Sequence, residues 1–320
     1  MPGASFTKAA YALMVMQLVA EGRLDLDRPV EQYLPKPLVE NEDYRDLAGD
    51  DRHHELTARM LLSHNSGLPN SRRFNDDKKL DIKFDPGIRY RYSGEGIALL
   101  QHVVHEILKV PTGDAMGSRV FRRLGMTRTS MVWRSEFESD HATGYDSDGH
   151  PLEVSRRESP DAAGSMATTL RDWAQLLVRL LHGDGLAPAS REEMLRPQIR
   201  IVSEHQFPVG SADISHDNDA IRLSYGLGWG LFFTPYGMAY FKEGHDDGVQ
   251  NYCVSFDAAK TAIVIMTNSD NGESIFKELL ATLIGDTYTP SKWERYLPYQ
   301  ELPATLLDSC PSPARTAPPS

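Results

Sequence analysis

The order of apolar and polar residues predicts helices in the first part of the chain and strands in the last part. Residues 9–20 are almost entirely Ala, Leu, Met and Val, which indicates a helix buried on nearly all sides. Gly22 follows at the position that commonly ends a helix. Apolar spacing and capping residues predict further helices at 57–62, 97–108, 113–124, 168–180 and 275–284.

Strands are predicted late in the chain, where aromatic and β-branched residues alternate with Gly, Asp and Asn turns. Their ranges are 227–233, 239–242, 251–256 and 262–267. Helices followed by a group of antiparallel-looking strands favour an α+β fold over a doubly wound sheet.

Composition excludes several classes of protein. The 320 residues contain 34 Lys and Arg against 45 Asp and Glu, and a net charge of −11 argues against a nucleic-acid partner. No apolar run approaches the about 20 residues of a membrane-spanning helix. Cys253 and Cys310 lack the spacing of a disulfide framework or a metal site.

The apolar segment that follows Lys8 is similar in composition to the core of a secretion signal. Gln17 interrupts it, however, and a single lysine is a poor charged leader, so a buried helix is favoured. The compartment stays open, with the cytoplasm slightly favoured.

Two groups of histidines have compositions compatible with metal binding. They are His53-His54-Glu55 and the set of His102, His105 and Glu106. Neither has a further ligand at a typical spacing, and surface positions are the favoured interpretation. No metal and no organic cofactor is predicted.

Ser5 and Lys8 have the spacing of a serine nucleophile and its base. At a helix N-terminus, residues three apart lie on one face, one turn from each other. Apolar neighbours desolvate a lysine and lower its pKa, so that it can accept the proton of a serine. The motif alone is weak, because Ser274 and Lys277 repeat it in a segment predicted to be an amphipathic helix.

A series of ordered motifs resembles the serine β-lactamases and penicillin-binding-protein-like hydrolases, especially the class C β-lactamase and family VIII carboxylesterase branch. The resemblance extends from Ser5 nearly to the closing helix. It rests on Gly22-Arg-Leu-Asp-Leu-Asp-Arg-Pro-Val30, Tyr33-Leu-Pro35, Met60-Leu-Leu-Ser-His-Asn-Ser-Gly-Leu-Pro69, Phe84-Asp-Pro-Gly87, Tyr90-Arg-Tyr92-Ser, Leu124-Gly-Met-Thr-Arg-Thr129, Ala163-Gly-Ser-Met166, Tyr225-Gly-Leu-Gly-Trp229 and Gly244-His-Asp-Asp-Gly248.

The resemblance implies roles for five residues. Ser5 is the nucleophile, and Lys8 and Tyr92 shuttle its proton, with Tyr92 as a phenolate or as a phenol bonded to Lys8. His245 takes the place of the family's Lys-Thr-Gly or His-x-Gly motif. Gly248 supplies the second oxyanion amide beside that of Ser5. Without the resemblance, a core aromatic is the preferred interpretation of Tyr92, and a loop histidine bonded to its Asp neighbours is the preferred interpretation of His245.

The sequence departs from the family pattern at several positions. Gly94 replaces an Asn that ordinarily contacts a substrate amide, and Asp247 replaces a Gly and should disfavour anionic β-lactams. Asn251 also replaces a common Gly, which predicts unusual backbone geometry in the strand that follows. The family's N-terminal helix and first strands are expected to be missing, which would leave a sheet edge uncovered and favour a homodimer.

The sequence therefore predicts a β-lactamase/transpeptidase-like serine hydrolase that acts on small esters through an acyl-enzyme. The alternatives are a β-lactamase, a D-alanyl-D-alanine peptidase, or a binding protein that kept the fold without catalysis. Residues 1–35 and 225–300 are predicted to form the sheet domain, residues 36–224 a mostly helical domain, and residues 301–320 a disordered tail rich in Pro and Ser.

Overall fold

The apolar segment near the N-terminus forms helix α1, Phe6–Ala20. The structure is a computed structural model, which describes residues 1–207, 213–296 and 298. Every residue from Phe6 to Leu18 is buried. Phe6 stacks on Trp173 with ring centroids 4.3 Å apart. Because the helix is apolar on nearly all sides, it forms the centre of the core instead of covering one face of it.

A six-stranded antiparallel sheet follows, with the strands arranged in the order of the chain. The strands are β1 (Ile199–Arg200), β2 (Ser224–Tyr225), β3 (Gly230–Thr234), β4 (Gly237–Asp246), β5 (Val249–Phe256) and β6 (Thr261–Thr267). The predicted α+β fold is confirmed. Strands β1 and β2 were not predicted, because two residues are too few to show a pattern.

Strand β4 extends four residues beyond its predicted end at Lys242. The added residues pair with β5, and Gly244 lies against the start of α1, where a Cβ would come within 2.6 Å of the Gly3 carbonyl oxygen. Glu243, Gly244 and His245 are thus strand residues and not part of a turn. Strand β5 pairs with β4 in unbroken register, so the unusual geometry predicted from Asn251 is absent from these two strands.

The remaining helices lie mostly where the apolar spacing places them. They are α2 (Ala58–Leu62), α3 (Gly94–Leu108), α4 (Thr112–Met116), α5 (Arg122–Leu124), α6 (Leu170–His182), α7 (Pro188–Met194), α8 (Phe276–Ile284) and α9 (Ser291–Glu294). Thr57 and Thr169 cap α2 and α6 by accepting hydrogen bonds from the Met60 and Asp172 amides. A π-helical turn, Gly117–Phe121, joins α4 to α5.

Two sequence predictions about organisation are not settled by these elements. The division into two domains stays a prediction, although β1 and Ser224 lie inside the predicted helical part and join the sheet. The predicted tail, 301–320, lies outside the described residues. Among the helices that are described, none combines the length and hydrophobicity needed to cross a bilayer.

Strand β6 forms one edge of the sheet. Within the described residues it pairs with β5 alone. Its residues from Ala262 to Thr267 are all partly exposed. The homodimer predicted from an uncovered edge stays a prediction.

We expect Gly230→Ala to destabilise the protein by about 1–3 kcal/mol, because it overpacks the sheet. Gly230 pairs with Phe241, and a Cβ on Gly230 would lie 2.3 Å from the Phe241 Cζ atom. Urea denaturation measures the change. Gly113→Ala is the matched control, because its nearest neighbour would be 3.8 Å away and ordinary contact results. Equal midpoints for the two variants would contradict this packing.

Candidate active site

Ser5 immediately precedes helix α1 and is partly exposed, whereas Lys8 lies one turn further along the same face and is only 3% exposed. The Lys8 Nζ atom lies 3.0 Å from the Ser5 Oγ atom. The structure therefore brings together the two side chains that the Ser-x-x-Lys spacing predicts to meet. Ser5 is thus partly accessible, whereas the amine lies in the core.

The environment of Lys8 favours its neutral form. Burial, together with the positive charge of Lys242, lowers the pKa of Lys8 to about 7, although Asp161 and Glu243 act in the opposite direction. Lys8 Nζ also donates to the Ala163 carbonyl oxygen at 2.5 Å, which fixes the amine beside Ser5. A sizeable fraction of Lys8 is thus able to accept a proton at neutral pH.

Tyr92 lies in the loop before α3 and is almost fully buried. Its hydroxyl accepts a hydrogen bond from Lys242 Nζ at 3.2 Å and is also hydrogen-bonded to Ser5. Lys8, by contrast, lies over the ring face, 5.0 Å from its centroid. Burial, reinforced by Glu243, raises the pKa of Tyr92 well above its usual range, so the neutral phenol is favoured over the phenolate. The expected bond from the phenol to Lys8 is replaced by the bond to Lys242.

Lys242 was not identified from the sequence. Its side chain, and not that of His245, extends from β4 to the Tyr92 hydroxyl. It is fully buried on β4, and its amine forms an ion pair with Glu243 besides its bond to Tyr92. The signal was present: Lys242-Glu243-Gly244 fits the family's Lys-x-Gly pattern three positions before His245. The predicted strand ends at Lys242, so this pattern lies across its boundary and was not recognised.

The placement of His245 is therefore corrected. Side chains of neighbouring residues in a strand point to alternate faces of the sheet. The His245 side chain therefore lies on the face opposite to that on which Gly244 packs against the start of α1. There its Nε2 atom lies 3.3 Å from the Tyr296 hydroxyl, and its ring lies 6.1 Å from that of Phe207. Burial lowers the pKa of His245 to about 4, so the imidazole is neutral at neutral pH.

Gly248 also differs from the expectation, because its amide is already bonded. The Gly248 N–H donates to Asp270 Oδ1 at 2.7 Å, in a turn where φ is +70°. It is consequently not free to bind an oxyanion. Neighbouring Asp247 lines a cavity of about 450 Å³ that Met1 and Pro2 also line, whereas Ser5, Lys8 and Tyr92 do not.

The backbone of β4 offers a different amide. Asp257 N–H donates to the Met238 carbonyl, which places the even-numbered residues of β4 in hydrogen-bonding position toward β5. The amide of His245 therefore points to the other side. On that side β4 pairs with β3, but the pairing stops at Phe241, opposite Gly230. The His245 N–H therefore faces the space beside β4.

Gly94 cannot carry the side chain that the family has at this position. A Cβ would lie 2.5 Å from the Asn70 carbonyl oxygen and 3.2 Å from Asn70 Oδ1. The Gly94 N–H donates to both oxygens, at 3.2 and 3.1 Å. The loop that contains Asn70 thus fills the space, and glycine is the residue that fits.

His64 packs against the ring of Tyr92, and it was also not identified from the sequence. It is fully buried, its ring lies 4.4 Å from that of Tyr92, and its Nδ1 atom accepts a hydrogen bond from the Ser93 N–H at 3.3 Å. Burial lowers the pKa of His64 well below its usual value. A neutral imidazole therefore fixes the loop that carries Tyr92.

Asn251 binds the segment that leads into Ser5. Its side-chain amide donates to the Pro2 carbonyl at 3.1 Å. It lies opposite Gly244 in the β4–β5 pair, on the face that packs against the start of α1. A side chain at this position thus positions the segment before Ser5, where a glycine would not.

Comparison with known proteins places the chain in a family. The family model described as Beta-lactamase matches residues 1–284. A β-lactamase of Pseudomonas fluorescens is 25% identical over 250 residues, which cover 75% of this chain and 63% of that protein. Penicillin-binding protein 4 of Amycolatopsis lactamdurans is 25% identical over 301 residues, which cover 88% of this chain and 75% of that protein.

The solved structures give the same fold. A D-stereospecific amidohydrolase from a Streptomyces species superposes with a TM-score of 0.70 at 24% identity, covering 89% of this chain and 87% of that one. The fold, the matched family model and the Ser5–Lys8 pair agree with one another. This chain therefore belongs to the β-lactamase family of serine hydrolases.

Proposed function

We propose that the protein is a carboxylesterase that cleaves small esters through an acyl-enzyme on Ser5. The observation that carries the proposal is the contact between Ser5 Oγ and the buried amine of Lys8, whose pKa is lowered to about 7. A serine hydroxyl needs an adjacent base to become a nucleophile, and a desolvated lysine is such a base.

The reaction begins when neutral Lys8 accepts the proton of Ser5 and Ser5 Oγ forms a bond to the ester carbonyl carbon. The carbon–oxygen bond to the alcohol then breaks, and the proton held by Lys8 returns to the leaving oxygen. The hydroxyl of Tyr92, hydrogen-bonded to Ser5, is placed to donate a hydrogen bond to the same leaving oxygen. Water attacks the acyl-enzyme by the same proton route in reverse, which releases the acid and restores Ser5.

The oxyanion is assigned to two backbone amides. One is the N–H of Ser5 at the start of α1, where the helix N-terminus favours negative charge. The other is the N–H of His245, which replaces the Gly248 amide expected from the sequence. Gly248 is excluded because its N–H is bonded to Asp270.

Charges around the site favour neutral esters over anionic β-lactams and peptides. Glu243 pairs with Lys242, so this buried ammonium offers little net charge to a substrate carboxylate. Asp247 adds negative charge at the end of β4, while Asp246 is neutralised by its ion pair with Arg157 at 2.8 Å. An anionic substrate is repelled by Asp247 and gains little net positive charge from Lys242, whereas a neutral ester depends on neither.

Packing around the site also favours ester substrates. The ring of Phe207 lies 5.4 Å from that of Tyr92 and presents an apolar surface beside the phenol. At Gly94 there is no side-chain amide to bind a substrate amide. Esters depend less on such contacts, because an alkoxide leaves with less help from a general acid than an amine does.

The first test is hydrolysis of p-nitrophenyl acetate and butyrate. We expect Ser5→Ala to lower kcat/KM by at least about a thousandfold, because it removes the nucleophile. Mass spectrometry of the quenched reaction should show one acyl group on the wild-type chain and none on the variant.

The matched control is Ser274→Ala, which alters the second Ser-x-x-Lys sequence of the chain. The Ser274 hydroxyl donates to the Asn271 carbonyl at 2.7 Å, and the variant should keep full activity. Equal rates for wild type and Ser5→Ala would refute catalysis by Ser5. Rapid turnover of a chromogenic cephalosporin would instead favour a β-lactamase, the activity named for the Pseudomonas relative.

The second test is the pH dependence of ester hydrolysis. Because Lys8 must be neutral to accept a proton and its pKa is lowered to about 7, kcat/KM should rise with pH below about 7 and level off above it. Lys242→Met removes a positive charge that lowers the pKa of Lys8, so the midpoint should move to higher pH.

Glu273 provides the control for this profile, because burial raises its pKa to about 7 as well. Glu273→Gln should leave the midpoint unchanged if Lys8 is the base. A midpoint that disappears in Glu273→Gln, or that stays in place in Lys242→Met, would contradict the role of Lys8.

A further inference from the structure

Two histidines and a glutamate converge on the surface formed by two 3-10 helices. His53 and His54 lie in the helix Asp51–Glu55, and Glu31 lies in the helix Val30–Tyr33. One ligand atom from each residue lies within 4.8 Å of the other two. The sequence suggested Glu55 as the carboxylate beside these histidines, but the fold brings Glu31 there instead.

His53 is the residue that distinguishes this cluster from an ordinary surface ion pair. It is only 4% exposed, contrary to the surface position favoured from the sequence. Its Nδ1 atom is buried and has no hydrogen-bond partner among the described residues. Glu31 Oε2 lies 3.7 Å away, too far for a hydrogen bond. A buried ring nitrogen without a partner requires explanation, because leaving it unbonded is unfavourable.

The other two residues are arranged as ligands of the same point. Glu31 Oε1 accepts a hydrogen bond from the Leu38 N–H at 2.8 Å, which fixes the carboxylate and turns Oε2 toward the histidines. His54 Nδ1 is paired with that Oε2 atom. The His54 side chain is 57% exposed, so the cluster is open to solvent.

We propose that Glu31, His53 and His54 form a three-ligand site for a divalent transition metal, with Zn²⁺ as the ion that the donors fit best. Two imidazole nitrogens and one carboxylate oxygen are donors that Zn²⁺ prefers, whereas Mg²⁺ prefers oxygen ligands alone. Tetrahedral Zn²⁺ holds its ligand atoms about 3.3 Å apart. Small side-chain movements reach this spacing from the arrangement present, and solvent supplies the fourth ligand.

The site is structural. The metal ties the segment around Glu31 to the helix that carries His53 and His54, and it gives the unpartnered Nδ1 atom a ligand. It stabilises the folded chain because the unfolded chain does not hold the three donors together. The proposal does not depend on esterase activity, and its test measures unfolding.

The experiment compares thermal unfolding of the EDTA-treated full chain with and without micromolar Zn²⁺. Wild type should gain several degrees in Tm, and calorimetry should show one Zn²⁺ bound per chain. His54→Ala and Glu31→Gln should abolish the gain while leaving the metal-free Tm nearly unchanged, because neither change opens the core. These two variants carry the test, since the buried His53 is needed for packing.

Two controls make the result specific. His216 pairs with Asp219 at 2.8 Å on the surface, and His216→Ala should keep the full Zn²⁺ response. Mg²⁺ should produce no shift. The proposal is overturned if Zn²⁺ leaves the wild-type Tm unchanged, or if the gain persists in both His54→Ala and Glu31→Gln.

Discussion

The dehydration of Lys8 is the constraint on which the rest of the site depends. An ammonium in the core is unfavourable, and the nearby positive charge of Lys242 makes it more so. Helix α1 supplies the apolar surroundings, and Ala163 supplies the carbonyl that holds the amine beside Ser5. Lys8 is buried whereas Ser5 is partly exposed, so the proposed base and the proposed nucleophile share one helical turn but differ in solvation.

A network of charges balances this dehydration. Lys242 and Glu243 form a buried pair, and Lys242 also binds the hydroxyl of Tyr92, so the pair links β4 to the loop before α3. A buried ion pair adds little stability on its own, but removing one partner leaves the other charge uncompensated. The pair therefore fixes the positions of β4 and Tyr92 relative to each other more than it stabilises the fold.

The parts predicted from sequence are those set by local pattern. Helix α1 is evident from its uniform apolar composition, and Ser5 and Lys8 meet because three residues span nearly one helical turn. The residues that β4 contributes to the site were misplaced, because strand ends depend on packing: the strand continues where Gly244 pairs with Asn251 and lies against Gly3. Gly248 was misassigned because the partner of its amide, Asp270, is distant in sequence. The close approach of Asn70 to Gly94 is likewise a tertiary contact.

Helix α1 is the centre of the core and also carries the proposed base, so the stability of the fold and the proposed reactivity depend on the same residues. A core substitution that admits water beside Lys8 would return its amine to the charged state while the chain remained folded. Such a variant would lose its activity before it lost its folded structure. Substitutions in α1 are for that reason constrained by the proposed chemistry as well as by packing.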